Sequence, residues 1–142
     1  MREIRIPTIT VKATTGPQDP YTSIKARDVE YEITELPEHG GKGDRLTPLE
    51  AFLAGLASCE AIMFRMIQSQ IAPDHKPRVE VEARGEFEMG KGITRLQITY
   101  RVEGMPPEEA RRIIELVKSS CPVYNTLKKA LSEIEEKIEV SP

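Results

Sequence analysis

The chain of 142 residues has no Trp, three Phe, two His, two Cys and a single Asn. Each shortage excludes something. Two cysteines, Cys59 and Cys121, cannot form the disulfide framework of a small secreted domain, and they lie 62 positions apart with no CxxC spacing. They suit reduced or redox-active thiols. The two histidines, His39 and His75, have no metal-ligand spacing to each other or to the cysteines, so no metal site is expected. Excess charge of one sign is also missing: 20 Lys plus Arg against 23 Asp plus Glu leaves a net charge of -3, which excludes binding to nucleic acid or an anionic membrane by bulk electrostatics. The longest apolar run, Ala51 to Cys59, is too short to cross a bilayer. The start, Met1-Arg2-Glu3-Ile4-Arg5, leads into alternation and not into an apolar signal core, so a cytoplasmic protein is expected. Scarce Asn and Gln beside abundant Glu, Lys and Arg is a pattern of hyperthermophile proteins, which also use structural disulfides inside cells.

At this length about two-thirds of the extended chain's surface can be buried, enough for one domain with a core. No repeat or low-complexity linker divides residues 1–142, so a single domain is expected. Ile4, Ile6, Ile9, Val11 and Ala13, then Ile24 and Ala26, then Val29, Tyr31 and Ile33 give broken period-two patterns and predict two or three strands. Gly40-Gly41-Lys42-Gly43 lacks the Ser or Thr of a phosphate loop and reads as a flexible loop. Thr47-Pro48-Leu49-Glu50 supplies a helix cap, a first-position Pro and the Glu of a capping box, so a helix begins there and runs to about Gln70. Its nearly all-round apolar start marks it as central and buried on most faces. From Val79 to Met89 apolar and charged residues alternate strictly; Gly90-Lys91-Gly92 turns the chain, and Leu96, Ile98, Tyr100 and Val102 complete an antiparallel hairpin. Pro106-Pro107 opens a second helix that stops near Ser120, and Cys121-Pro122 starts a third. Ile138 and Val140 suit an edge strand. The class is α+β.

Cys59 shares a helix face with Phe52, Leu56, Ile62, Met63 and Met66, where a free thiol can serve simply as a small core residue. Cys121 precedes a helix N-terminus, where backbone N–H groups stabilise a thiolate, and it can equally be a plain cap. If the two meet, one thiolate can reduce an oxidant to leave a sulfenic acid, which the other thiol condenses to a disulfide.

The stretches Gly43-Asp44-Arg45-Leu46-Thr47-Pro48-Leu49-Glu50-Ala51-Phe52-Leu53-Ala54-Gly55-Leu56-Ala57-Ser58-Cys59 and Cys121-Pro122-Val123-Tyr124-Asn125-Thr126-Leu127 resemble the osmotically inducible protein C and organic hydroperoxide resistance (OsmC/Ohr) family. The resemblance implies an OsmC-like fold, with antiparallel sheets wrapped around a long central helix in an intertwined homodimer whose active sites lie at the subunit interface. It also implies that Cys59 is the peroxidatic thiol and Cys121 the resolving one. Two residues of the family's peroxidase branches differ. A Glu expected directly after the helix Pro is Leu49, and the early turn expected to carry Arg reads Gly16-Pro17-Gln18-Asp19-Pro20. Glu50 is the candidate to replace the missing thiol-activating carboxylate, but it lies about 180° around the helix from Cys59 and some 13 Å along it, so capping is its simpler role. Arg45, Lys42 or His39 could supply a positive charge to the thiol.

The expected function is a thiol peroxidase that reduces organic hydroperoxides without a cofactor and is restored by a dithiol reductant. Phe52, Leu56, Met63 and Met66 would favour an alkyl peroxide. The alternatives are a non-catalytic protein holding an apolar small molecule in the dimer cleft, and a structural Cys59–Cys121 disulfide.

Overall fold

The computed structural model describes Ile6 and residues 8–142, so Ile4 of the first predicted strand lies outside the described residues. The chain forms two compact units, with the boundary between Ala51 and Phe52.

In the first unit β1 (Lys12–Thr14), β2 (Thr22–Ala26) and β3 (Val29–Ile33) form an antiparallel sheet in that order. The ladder of β1 covers only Lys12 to Thr14, shorter than the alternation predicts. The ladder pairs Lys12, Ala13 and Thr14 with Lys25, Ile24 and Ser23, and Ile6, Ile9 and Val11 are left exposed. In the loop after β3 several backbone groups find partners. Gly41 and Gly43 donate their N–H groups to Leu36 and Glu35 carbonyls at 3.1 and 3.0 Å. The buried Thr34 hydroxyl donates to Pro20 O and accepts from Lys42 N. Gly41 is required by close approach, since a Cβ there would run into the Glu35 backbone.

Helix α1 (Pro48–Ile71) starts where predicted. Thr47 N donates to Glu50 Oε1 at 2.8 Å and Glu50 N to Thr47 Oγ1 at 3.2 Å, a closed capping box. At its other end the buried Gln68 amide donates to the carbonyls of Ala72 and His75, both at 2.7 Å, and so ties the following turn to the helix.

In the second unit β4 (Arg78–Glu88) and β5 (Gly92–Glu103) pair antiparallel, with a bulge at Glu86 and Phe87. After α2 (Pro107–Ser120) and α3 (Pro122–Ala130), β6 (Glu135–Ser141) returns beside β5 in parallel. The sheet is therefore mixed, with order β4-β5-β6, because two helices carry the chain back before it re-enters. The predicted alternation holds on β4, whose odd-numbered residues turn inward while Glu80, Glu82 and Glu86 face water. Exposed Arg101 on β5 crosses this outer face, with Glu80 at 2.7 Å, Glu82 at 3.1 Å and Glu139 of β6 at 3.1 Å. The core joins Leu56, Phe64 and Ile67 of α1, Leu96, Ile98, Tyr100 and Val102 of β5, and Ala110, Ile113, Ile114 and Val117 of α2. Gly85 lets β4 come close to α1, because a Cβ there would meet the Phe87 ring at 2.9 Å and Leu53 at 3.3 Å.

Helix α1 is not covered on most faces within one chain. Phe52, Ile62 and Met66 are 48, 47 and 43% exposed. With Gly55 and with Cys59, which also packs against the core, they recur at spacings of three and four as one apolar seam.

Candidate active site

Cys59 stands midway along α1, and Cys121 is the single residue between α2 and α3. Pro122 cannot continue α2 because it lacks an N–H, yet it fits the first position of a new helix, so the chain turns at Cys121. Cys121 serves both helices. Its N–H donates to Val117 O at 2.8 Å and closes α2, while its sulfur accepts the Tyr124 N–H at 3.4 Å and opens α3.

This junction sets the Cys121 sulfur 3.0 Å from the Cys59 sulfur, with the Cys121 thiol donating. Both cysteines are free; Cys121 is fully buried and Cys59 partly exposed. The sequence predicts that the helix N-terminus favours a thiolate at Cys121. The Tyr124 and Val123 N–H groups do act in that direction, but burial and then the hydrogen bond to Cys59 outweigh them and push the Cys121 thiol up to about 12. Cys121 therefore keeps its proton, and the sulfur with an open side is Cys59.

Next to Cys59 the structure places a group that the sequence reading passes over. Glu60 is 0% exposed and accepts the Tyr100 hydroxyl at 2.6 Å on one oxygen, while its other oxygen has no partner among the described residues. Burial raises its carboxyl from 4.5 to about 7, with the Tyr100 bond opposing; Glu136 adds to the rise and Lys118 opposes it. The signal was available: Glu60 is the one charged residue between Ala51 and Phe64, and it falls on the stripe of Leu56, Phe64 and Ile67 that faces the core.

The other predicted residues are placed as follows. Leu56 is fully buried and Met63 packs partly buried against the core, so Leu56 is a core residue and not part of an open substrate surface. Phe52 and Met66 stay open, and Phe52 meets Phe87 edge to face at 6.4 Å. In the first unit Arg45 binds Asp44 and lies 5.8 Å from the centre of the Tyr21 ring. His39 is 3.8 Å from Glu35, and Glu50 is committed to the capping box. His75, between α1 and β4, pairs with Glu109 at 3.0 Å.

The fold and the facing thiols define an α+β protein with a two-cysteine centre carried by its longest helix. Comparison with known proteins makes this specific. The family described as OsmC-like protein matches residues 41–136, a span that holds both cysteines and more than half of the chain, and the chain belongs to that family. It is similar to a hydroperoxide reductase of Mycoplasma genitalium, 31% identical over 117 residues that cover 75% of this chain and 79% of the other. In structure it is similar to an OsmC-like protein from Mycoplasma pneumoniae, with a TM-score of 0.80 at 19% identity over 96% of this chain and 99% of that one. It is also similar to an organic hydroperoxide resistance protein from Legionella pneumophila, with a TM-score of 0.72 at 19% identity over 98% and 100%. These establish the OsmC-like fold. No helix among the described residues is long and apolar enough to cross a membrane.

Proposed function

We propose that the protein is a cysteine-based peroxidase for organic hydroperoxides, acting through Cys59 and resolved by Cys121. The observation that carries this reading is the 3.0 Å approach of two free sulfurs from distant parts of the chain. The similarity to a hydroperoxide reductase supports it. Cys59, the less buried thiol, attacks the terminal peroxide oxygen as its thiolate. The O–O bond breaks, the departing alkoxide takes a proton and leaves as the alcohol, and Cys59 becomes a sulfenic acid. Cys121 then attacks that sulfur. An S–S bond forms, the S–O bond breaks, and the thiol proton leaves with the hydroxyl as water. A dithiol reductant restores both thiols by exchange. The open Phe52 and Met66, with Met63 behind them, favour an alkyl substituent on the peroxide over hydrogen peroxide.

The reading includes a homodimer in which both units of each chain act as one OsmC-like domain. The seam of Phe52, Gly55, Cys59, Ile62 and Met66 supports it, since this run would lie in water in an isolated chain and Gly55 has open space over its Cα. A charge there would have to be buried on association, so Ile62→Lys is expected to shift the protein to monomer in size-exclusion chromatography with light scattering. An unchanged dimer would place the interface elsewhere.

The peroxidase reading is tested by adding one equivalent of an organic hydroperoxide to the reduced protein and mapping its peptides, in parallel with hydrogen peroxide and with Cys59→Ser. Rapid formation of a Cys59–Cys121 disulfide is expected, faster with the organic peroxide and absent in the variant. Slow oxidation, equal for both peroxides, would assign the pair to a structural crosslink.

A further inference from the structure

The peroxidase reading leaves unassigned a group of polar side chains behind Cys121. Tyr124, 3% exposed in the first turn of α3, is bound at both ends. Its N–H donates to the Cys121 sulfur at 3.4 Å, and its hydroxyl donates to Glu136 Oε1 on β6 at 2.7 Å. The other Glu136 oxygen accepts from Lys118 Nζ on α2, also at 2.7 Å, and Lys118 reaches Glu115 at 3.4 Å. The side chain that follows the sulfur is thus fixed to the sheet and to the preceding helix by a charge-assisted chain.

Resolution asks two things of Cys121. A buried thiol must become an attacking sulfur, and that sulfur must close by about 1 Å, from 3.0 Å to the covalent distance of roughly 2.05 Å. Negative charge develops on it as its proton leaves, and the Tyr124 N–H is the donor aimed at that charge. A donor stabilises developing charge only where it is held in place beforehand. Along the chain the first turn of α3 holds that backbone, with Asn125 N–H donating to Cys121 O at 3.0 Å, and the phenol anchored on Glu136 adds a second fixed point on β6.

On the peroxidase reading above, we propose that Tyr124, through Glu136 and Lys118, is the positioning residue of the resolving step: it holds its own N–H on the Cys121 sulfur while that sulfur displaces hydroxide from the Cys59 sulfenic acid. The hydrogen bonds of Tyr124 run to Cys121 and Glu136, and among the described residues none runs to the Cys59 sulfur. Its loss should therefore act after the first oxidation and leave that oxidation intact.

The test is stopped-flow oxidation of the full-length protein by an organic hydroperoxide, with the sulfenic acid trapped by dimedone at timed intervals and the disulfide followed by mass. In Tyr124→Phe the sulfenic acid is expected to form at the parent rate and to convert to disulfide roughly tenfold more slowly, or worse, the size of effect that a small misplacement produces. Dimedone adducts and sulfinic acid should rise accordingly. Glu136→Ala should behave like Tyr124→Phe, whereas Glu136→Gln, which keeps an acceptor for the phenol, should recover most of the rate. Closure at the parent rate in a folded Tyr124→Phe would overturn the proposal. If that variant does not fold, equal closure rates in Glu136→Ala and Glu136→Gln would overturn it instead. Diamide, which couples neighbouring thiols through a thiol adduct without any peroxide, separates this outcome from failure of the peroxidase reading. A parent protein inert to hydroperoxides but closed quickly by diamide, with Tyr124→Phe slow, would keep the positioning role and sink the peroxidase.

Discussion

Glu60→Gln is expected to gain about 2.5 kcal/mol of stability relative to its parent as the pH rises from 5 to 8. The direction follows from the side chain's surroundings. Glu60 is fully buried, one of its oxygens has no partner among the described residues, and Lys118, the cation that favours its charged form, is already bound to Glu136 and Glu115. The neutral acid is therefore the form the core accepts. Its carboxyl is raised in the fold, from 4.5 to about 7. Below 4.5 both folded and unfolded chains carry the proton and the group is neutral in its effect. Between 4.5 and 7 the unfolded chain ionises while the folded one does not, so stability falls as pH rises through this window; above 7 the loss is complete and constant. Gln keeps the shape and an acceptor for the Tyr100 hydroxyl, cannot ionise, and so escapes the fall. Urea denaturation of both proteins from pH 5 to 8 reads the difference directly. A difference between the two proteins that does not change with pH would show that Glu60 is ionised and compensated in the fold.

Glu60 also shows where sequence reading runs out. The two motifs around the cysteines, the capping box at Thr47 and Glu50, and the alternation of β4 and β5 were legible because each rests on local rules: helix capping, Pro at a first helical position, and a period of two. Ile138 and Val140 disclosed a strand but not its direction, since pairing parallel to β5 depends on how α2 and α3 return the chain. The first strand was overread for the opposite reason: alternation in Ile6, Ile9 and Val11 says that a ladder suits these residues, not that a partner stands beside them. At Cys121 the local rule was sound and lost to a long-range fact. The helix N-terminus does lower the thiol's proton affinity, but complete burial beside a second sulfur raises it more. Tyr124 was invisible in the same way, because its role lies in a bond to β6, twelve residues on, and no spacing rule records that. The candidate activating charges Arg45, His39 and Glu50 were named from proximity in sequence, and each has a local partner in the first unit that accounts for it.

Cys121→Ser is expected to turn a catalytic cycle into a single event. In the parent, each turnover ends in a disulfide that a dithiol can reduce, so consumption of hydroperoxide continues as long as reductant is supplied. The hydroxyl introduced by the substitution could not attack the sulfenic acid at a comparable rate, because an alcohol has far less of its nucleophilic anion than a thiol does near neutral pH. The variant should therefore consume one equivalent of hydroperoxide in a burst, then stall or proceed to the sulfinic acid as more peroxide arrives. Cys59→Ser should show neither burst nor turnover, since Cys121 is fully buried and holds its proton tightly. This asymmetry discriminates the roles more sharply than loss of activity alone: a structural disulfide predicts equal and mild effects of the two substitutions, and a reversed assignment predicts the burst in Cys59→Ser. Steady turnover by Cys121→Ser at the parent rate would mean that the external reductant meets the Cys59 sulfenic acid directly. The short contact between the sulfurs would then serve to hold Cys59 in place, not to close the catalytic cycle.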